Sequence, residues 1–371
     1  MNKSLLNSNF EIFLTTTGST WLLESIYLYA VTPFGITGIL FNIINIITFL
    51  NFKSEKINLF QYMKVFTFNS ILLSCMIFLF VFTHLPRYFD FSVSYIARFY
   101  RCIIMINVAN MLNFYETVIN ILIILERMSS FVLKFKNLKN LPPYKASFLL
   151  FTSCIVISLP TFFMSYVKTQ KEFIDDINNY NETNNDIIFR YCEKTAFSQS
   201  LIGKIMIALV IIIMNVITLI VEITVTIMTI YYFRDYLKTR AKIINKNQGK
   251  SLIDTTNTEN KSILITTLEN TSNNNSNNNQ KNIKMKKMNK SNRNLTKMCI
   301  EFSIISSISN ICILFYNLFV LFVGDNNYFY YYIVFAACLF TLLKLSSNFF
   351  FFYHYNSNFK TTFNNLINII I

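Results

Sequence analysis

The residues best suited to chemistry in this chain are charges set inside apolar runs: Glu116, Glu222 and Lys344, with the pair Glu126-Arg127 near the end of one such run. A charge in that setting is costly in lipid unless it faces a partner or a water-filled cavity. These residue types suit ion pairing, hydrogen bonding and ligand recognition. They do not suit bond making: there is no Walker motif, no hydrolase serine motif and no metal-spaced His/Cys cluster, His84 and His354 being the two histidines. The chain is expected not to be an enzyme, to hold no metal and to need no cofactor.

The element that must position the charges is the stretch from Cys102 to Arg127. On a helix advancing about 100° per residue, Cys102, Ala109, Asn113, Glu116, Asn120 and Arg127 fall within about 40° of one line. Ile103, Ile104, Leu112, Val118, Ile119 and Ile123 mostly face elsewhere. As α-helix the stretch spans about 37 Å, enough to cross a bilayer and both its edges. A lone helix in lipid could not carry that polar stripe cheaply, so this one sits inside a bundle.

Composition supplies the bundle. Of the 371 residues, 53% are hydrophobic and 14% charged, and the mean hydropathy is +0.41. That is too apolar for a soluble chain of this length, and the apolar residues come in blocks long enough to cross a bilayer. The net charge of +14 lies in loops, which argues against nucleic acid as a partner. The abundance of Asn, Lys, Ile, Phe and Tyr is what an A/T-rich genome produces and carries no functional weight. Residues 1–26 lack the basic start, short apolar core and cleavage site of a secretory signal, so the first apolar helix is expected to direct insertion.

The expected fold is an all-α membrane protein, a seven-transmembrane helix bundle. A polar amino-terminal segment, 1–26, holds Trp21 and the sequon at Asn2. Helices one to five fall at about 27–50, 65–86, 99–126, 146–167 and 199–233, together 27–233. Residues 234–297, with their Asn-rich tract and the basic run from Lys284 to Lys290, are expected to be a disordered basic loop with helical extensions at each end. Helices six and seven fall at about 298–323 and 328–353, together 298–353. The tail, 354–371, has the spacing of a short amphipathic eighth helix lying on the membrane surface.

Basic residues concentrate in alternate loops: Lys53, Lys56 and Lys64, then Lys134, Lys136, Lys139 and Lys145, then the flanks of 234–297. The positive-inside rule places these in the cytoplasm, which puts the amino terminus outside. Cys102 and Cys192 are then the two cysteines in outer segments, on the oxidising side where disulfides persist. They either pair or stand as two free thiols, and their being alone there favours pairing. Cys75, Cys154, Cys299, Cys312 and Cys338 read as free core residues. Asn181 and Asn2 become candidate glycosylation sites, and the Lys284–Lys290 run a contact for anionic lipid.

These features together resemble the rhodopsin-like G-protein-coupled receptors. Glu126-Arg127-Met128 stands where that family has Asp/Glu-Arg-Tyr, and Asn348-Phe349-Phe350-Phe351-Phe352 where it has Asn-Pro-x-x-Tyr. Phe359-Lys360 matches the aromatic-basic pair opening the family's eighth helix, and Asn42 or Asn45 its helix-one Asn. The chain departs from the pattern in having no acid in helix two, no Trp in helix four, no Trp-x-Pro in helix six and no proline in the helix-seven motif. With Leu125-Glu126-Arg127-Met128-Ser129-Ser130 and the Phe351–Tyr355 end of helix seven, it is most similar to the nematode serpentine chemoreceptors of the a, ab, b and e classes.

The resemblance implies a chemosensory receptor in the plasma membrane that binds an external small molecule and activates a heterotrimeric G protein. Glu126, Arg127, Glu301 and Asn348 would form the activation switch, Arg127 being held by Glu126 and by Glu301 on helix six. Glu301 is equally readable as an interfacial charge facing lipid headgroups. The ligand would lie between helices three, five, six and seven, near Ala109, Asn113 and Glu116, with aromatic contacts from Tyr328 to Tyr332. The family's retinal-binding lysine would fall at Leu342, so Lys344 does not make the chain an opsin. Lys344 is left with three readings: a pair with Glu116, a pair with Glu222, or a ligand contact. A multi-pass transporter or ligand-gated channel is the alternative function. Internal repeats and Gly/Pro-broken helices, which transporters often show, are missing.

Overall fold

In the computed structural model the described residues are 25–51, 58–83, 94–132, 142–167, 192–258, 271–322 and 329–370. Seven of their helices are long and apolar enough to cross a membrane: α1 (Leu28–Leu50), α2 (Asn58–Thr83), α3 (Tyr95–Ser129), α4 (Pro143–Phe163), α5 (Leu201–Arg240), α6 (Arg293–Phe319) and α7 (Tyr332–Tyr355). An eighth helix, α8 (Ser357–Ile370), follows α7 after one residue, Asn356, whose side-chain oxygen accepts from the Phe359 amide and caps it. The molecule is a multi-pass membrane bundle.

α3 is its axis. In its most apolar stretch 72% of residues are buried, against 17% in α4, because its polar stripe must be kept from lipid. It contacts α2, α4, α5 and α6, while α1, α2 and α7 pack side by side and α6 lies along α7. α4 presents Phe148, Leu149 and Val156 outward, as a lipid-facing helix does.

Local sequence explains the ends. Pro143 opens α4, where a missing N–H costs nothing, and Pro33 stands where α1 passes from the π-wound turn Tyr27–Val31 to the regular α-helix from Thr32. Ser94 caps α3 by accepting from Ala97 N, and Ser200 caps α5 by accepting from Gly203 N at 3.0 Å. Gly203 is required there: a Cβ would lie 1.8 Å from the carbonyl oxygen of Phe197 in the short helix Ala196–Gln199, which folds over the start of α5. At Gly38 the missing side chain lets α1 approach Ser74 of α2 and Ser346 of α7. There the Asn42 amide crosses to donate to Leu345 O at 3.0 Å.

Several boundaries differ from those expected. α2 begins at Asn58 rather than near residue 65, because Leu59, Phe60, Tyr62 and Met63 continue its buried face past the apolar core. Helix continues from α5 to Thr258 and leads into α6 from Thr271, at the two ends of 234–297 where helical extensions were expected. No proline and a single glycine, Gly249, interrupt those residues. Residues Tyr100–Ala109 of α3 and Ile212–Ile217 of α5 are wound as wider π-type turns.

Two short strands complete the fold. β1 (Ser165–Val167) pairs antiparallel with β2 (Cys192–Lys194), Val167 opposite Cys192, and β1 lies against the π-wound part of α3. Asn2, Asn181 and Tyr328, expected sites of glycosylation and aromatic contact, lie outside the described residues, as do Trp21 and the side chains of Cys192 and of 284–289.

Candidate functional site

A connected polar cluster occupies the middle of the bundle, built on the inward face of α3. Glu116 forms an ion pair with Lys344 of α7, Oε2 to Nζ at 3.3 Å, and both side chains are 1% exposed. Ser70 of α2 donates to Glu116 Oε1 at 3.0 Å, and Lys344 donates to Asn113 Oδ1 at 3.1 Å. Asn348 of α7 is fully buried and donates to Ser70 Oγ at 3.5 Å. One ion pair therefore joins α2, α3 and α7. Of the three readings open for Lys344, the structure selects the pair with Glu116. A buried charge of either sign persists in such a place only when paired and hydrogen-bonded.

One turn further along α3 a second carboxylate, Glu222 of α5, is completely buried. Its Oε1 accepts from Asn120 Nδ2 of α3 at 2.7 Å and its Oε2 from Asn310 Nδ2 of α6 at 3.0 Å. The two halves of the cluster are joined by Asn310, whose Nδ2 also lies 3.1 Å from Thr117 Oγ1 and whose Oδ1 accepts from Asn113 at 3.4 Å. Further along, Thr226 of α5 and Ser303 of α6 share a hydrogen bond of 2.6 Å. Ser303, Ser306 and Asn310 were not singled out in the sequence. The signal was there: they recur at i, i+3 and i+7 on one face of an otherwise apolar helix.

Beyond this cluster comes an apolar layer. Met63, Phe66, Ile123, Met298, Cys299, Phe302 and Phe352 surround a narrow cavity with no polar lining. Past it lie Glu126 and Arg127, both buried, with Oε2 and Nη2 at 3.4 Å. Glu301 does not complete the expected bridge to Arg127. Its Oε1 accepts from the Tyr355 hydroxyl at 2.7 Å, because the end of α7 lies against α6 and reaches the acid first.

At the opposite end of α3, Cys102 is fully buried and disulfide-bonded, whereas Cys75, Cys154, Cys299, Cys312 and Cys338 are free. Of the expected ligand residues, Asn113 and Glu116 belong to the polar cluster. Ala109 packs in the apolar core above it. Asn42 and Asn45 are both completely buried, Asn45 Nδ2 lying 3.4 Å from Asn42 Oδ1. Among the described residues no group of three or more His, Cys, Asp or Glu is placed to hold a metal ion. The arrangement can hold buried charge pairs and bind polar groups.

No protein-family model matches the chain, and no curated protein sequence does. Among solved structures it is similar to the crystal structure of squid rhodopsin, with a TM-score of 0.58 at 12% identity, over 95% of this chain and 87% of that one. The fold is the seven-helix rhodopsin bundle.

Proposed function

We propose that this seven-helix bundle is a chemosensory G-protein-coupled receptor of the serpentine type, with its amino terminus outside. An external small molecule binds in the Cys102 half of the bundle. A heterotrimeric G protein engages the Arg127 end. The observation that carries this reading is the buried Glu126-Arg127 pair, at the end of a rhodopsin-like α3 where basic loops mark the cytoplasm. An arginine held by a neighbouring acid is a charge that a partner can claim only once α6 moves aside, which is how one of two packings becomes the signalling one.

In this reading Cys102 pairs with Cys192, fastening the β1–β2 hairpin over the outer end of α3, and Asn2 and Asn181 carry glycans. Asn113 and Glu116 form the polar floor of the ligand site, with Ala109 on its wall. Asn348 couples that floor to α2, and Glu301 belongs to the switch through Tyr355. α8 lies on the inner membrane surface. The protein resides in the plasma membrane and carries out no chemistry of its own.

The test is nucleotide exchange on G protein in membranes, wild type against Arg127→Ala at matched surface level. Loss of basal or cue-evoked exchange in the variant is the expected result. Current evoked by a chemical cue without G protein, and unaltered by Arg127→Ala, would replace the receptor with a ligand-gated channel.

A further inference from the structure

The middle of the bundle holds two carboxylates and one ammonium, and the ammonium is committed. Lys344 pairs with Glu116. Glu222 makes no ion pair among the described residues and is held by neutral donors, one helix to each oxygen: Asn120 of α3 on Oε1 and Asn310 of α6 on Oε2. The Ser306 hydroxyl of α6 adds a further hydrogen bond. Only a side chain that accepts at both of two terminal oxygens can take two amide N–H groups from opposite sides. A glutamine there would turn an N–H toward one of them.

We infer that Glu222 is a clamp: a single carboxylate on α5 that fastens α6 to α3 and holds the far end of α6 closed. Among the contacts described beyond it are the Thr226–Ser303 hydrogen bond, the apolar layer and the Glu301–Tyr355 contact. None of these contains a charge pair. Hydrogen bonds at both of its carboxyl oxygens make Glu222 a two-sided polar tie between α6 and α3, beside the direct contacts of Asn310 with Thr117 and Asn113. Asn310 also accepts from Asn113, which receives Lys344, so the clamp is wired to the Glu116–Lys344 pair.

The chain contains its own reporter. Cys299, about three turns from Asn310 along α6, is 1% exposed and lines the apolar layer. The experiment follows its modification by a maleimide, located by peptide mass spectrometry, in the full-length protein in detergent or membranes. Cys154 of α4, 2% exposed, serves as the control for general loosening. Glu222→Gln, which conserves volume, is expected to raise the Cys299 rate about tenfold, the scale of one buried hydrogen bond. Asn310→Leu should do the same. The double variant Glu222→Gln with Asn310→Asp restores a donor facing an acceptor and should return the rate toward wild type.

An unchanged Cys299 rate in both single variants would overturn the clamp. So would acceleration of Cys154 to the same degree, or a double variant no slower than Glu222→Gln alone. The thiol readout needs no G protein. That opening α6 also raises basal nucleotide exchange rests on the receptor reading, so a fast Cys299 with unchanged exchange would sustain the clamp and count against the receptor.

Discussion

Removing the ammonium of Lys344 would strand the Glu116 carboxylate in a dry interior. Breaking one half of a buried pair costs about 3–5 kcal/mol, so Lys344→Met should lower the melting temperature of the detergent-solubilised protein sharply. Removing both charges with Lys344→Met and Glu116→Gln should recover most of the loss. Single and double variants that melt alike would show that the pair contributes no stability. At this scale the sequence was informative about which residues were buried and silent about which met. Glu116, Glu222 and Lys344 stood out because each interrupts an apolar run, but partner choice depends on how α5, α6 and α7 are rotated against α3. The same rotation sends Glu301 to Tyr355 instead of Arg127. Asn310, which joins the two halves of the cluster, was hidden among serines whose common face is visible only once the helix is drawn.

Helices depend on shorter-range information, and more of them could be read directly. The seven apolar blocks announced seven spans, and prolines and serines marked several ends. Where boundaries moved, as at Asn58, the buried face ran on past the apolar block. The π-wound turns left no mark, since Tyr100–Ala109 is ordinary apolar sequence. Two element-level outcomes follow. Gly203→Ala should reduce the yield of folded protein severely, read by size-exclusion profile, because its Cβ would collide with the backbone of Phe197 rather than with a movable side chain. Phe359 is completely buried, its ring 5.3 Å from Phe49 and 5.8 Å from Phe352. Phe359→Ala should cost about 3–5 kcal/mol and expose α8 to protease. An unaltered cleavage pattern would mean that α8 is held some other way.

For the molecule as a whole, the bundle could be read from hydrophobic block lengths, while its sidedness rests on the placement of lysines and arginines. That can be measured apart from any signalling. Asn181→Gln should remove one glycan-sized step in mass on a gel, and an epitope placed after residue 371 should be reached only in permeabilised cells. No mobility step on Asn181→Gln, together with an epitope reached in intact cells, would invert the bundle and move the Arg127 end to the outside.

The wide turns at one end of α3 have a further bearing, on how such a chain changes over generations. A helix wound loosely over Tyr100–Ala109 and tightly from Asn110 onward carries slack at one end only. Loss of a single residue within the loose part can be absorbed as it rewinds into ordinary α-helix, so the residues before it largely keep their facing. Everything from Asn110 to Ser129 would keep its orientation. The mouth of the bundle can thus lose a residue while Glu116, Asn120 and Arg127 stay where they are, a tolerance of length change that a tightly wound helix does not offer.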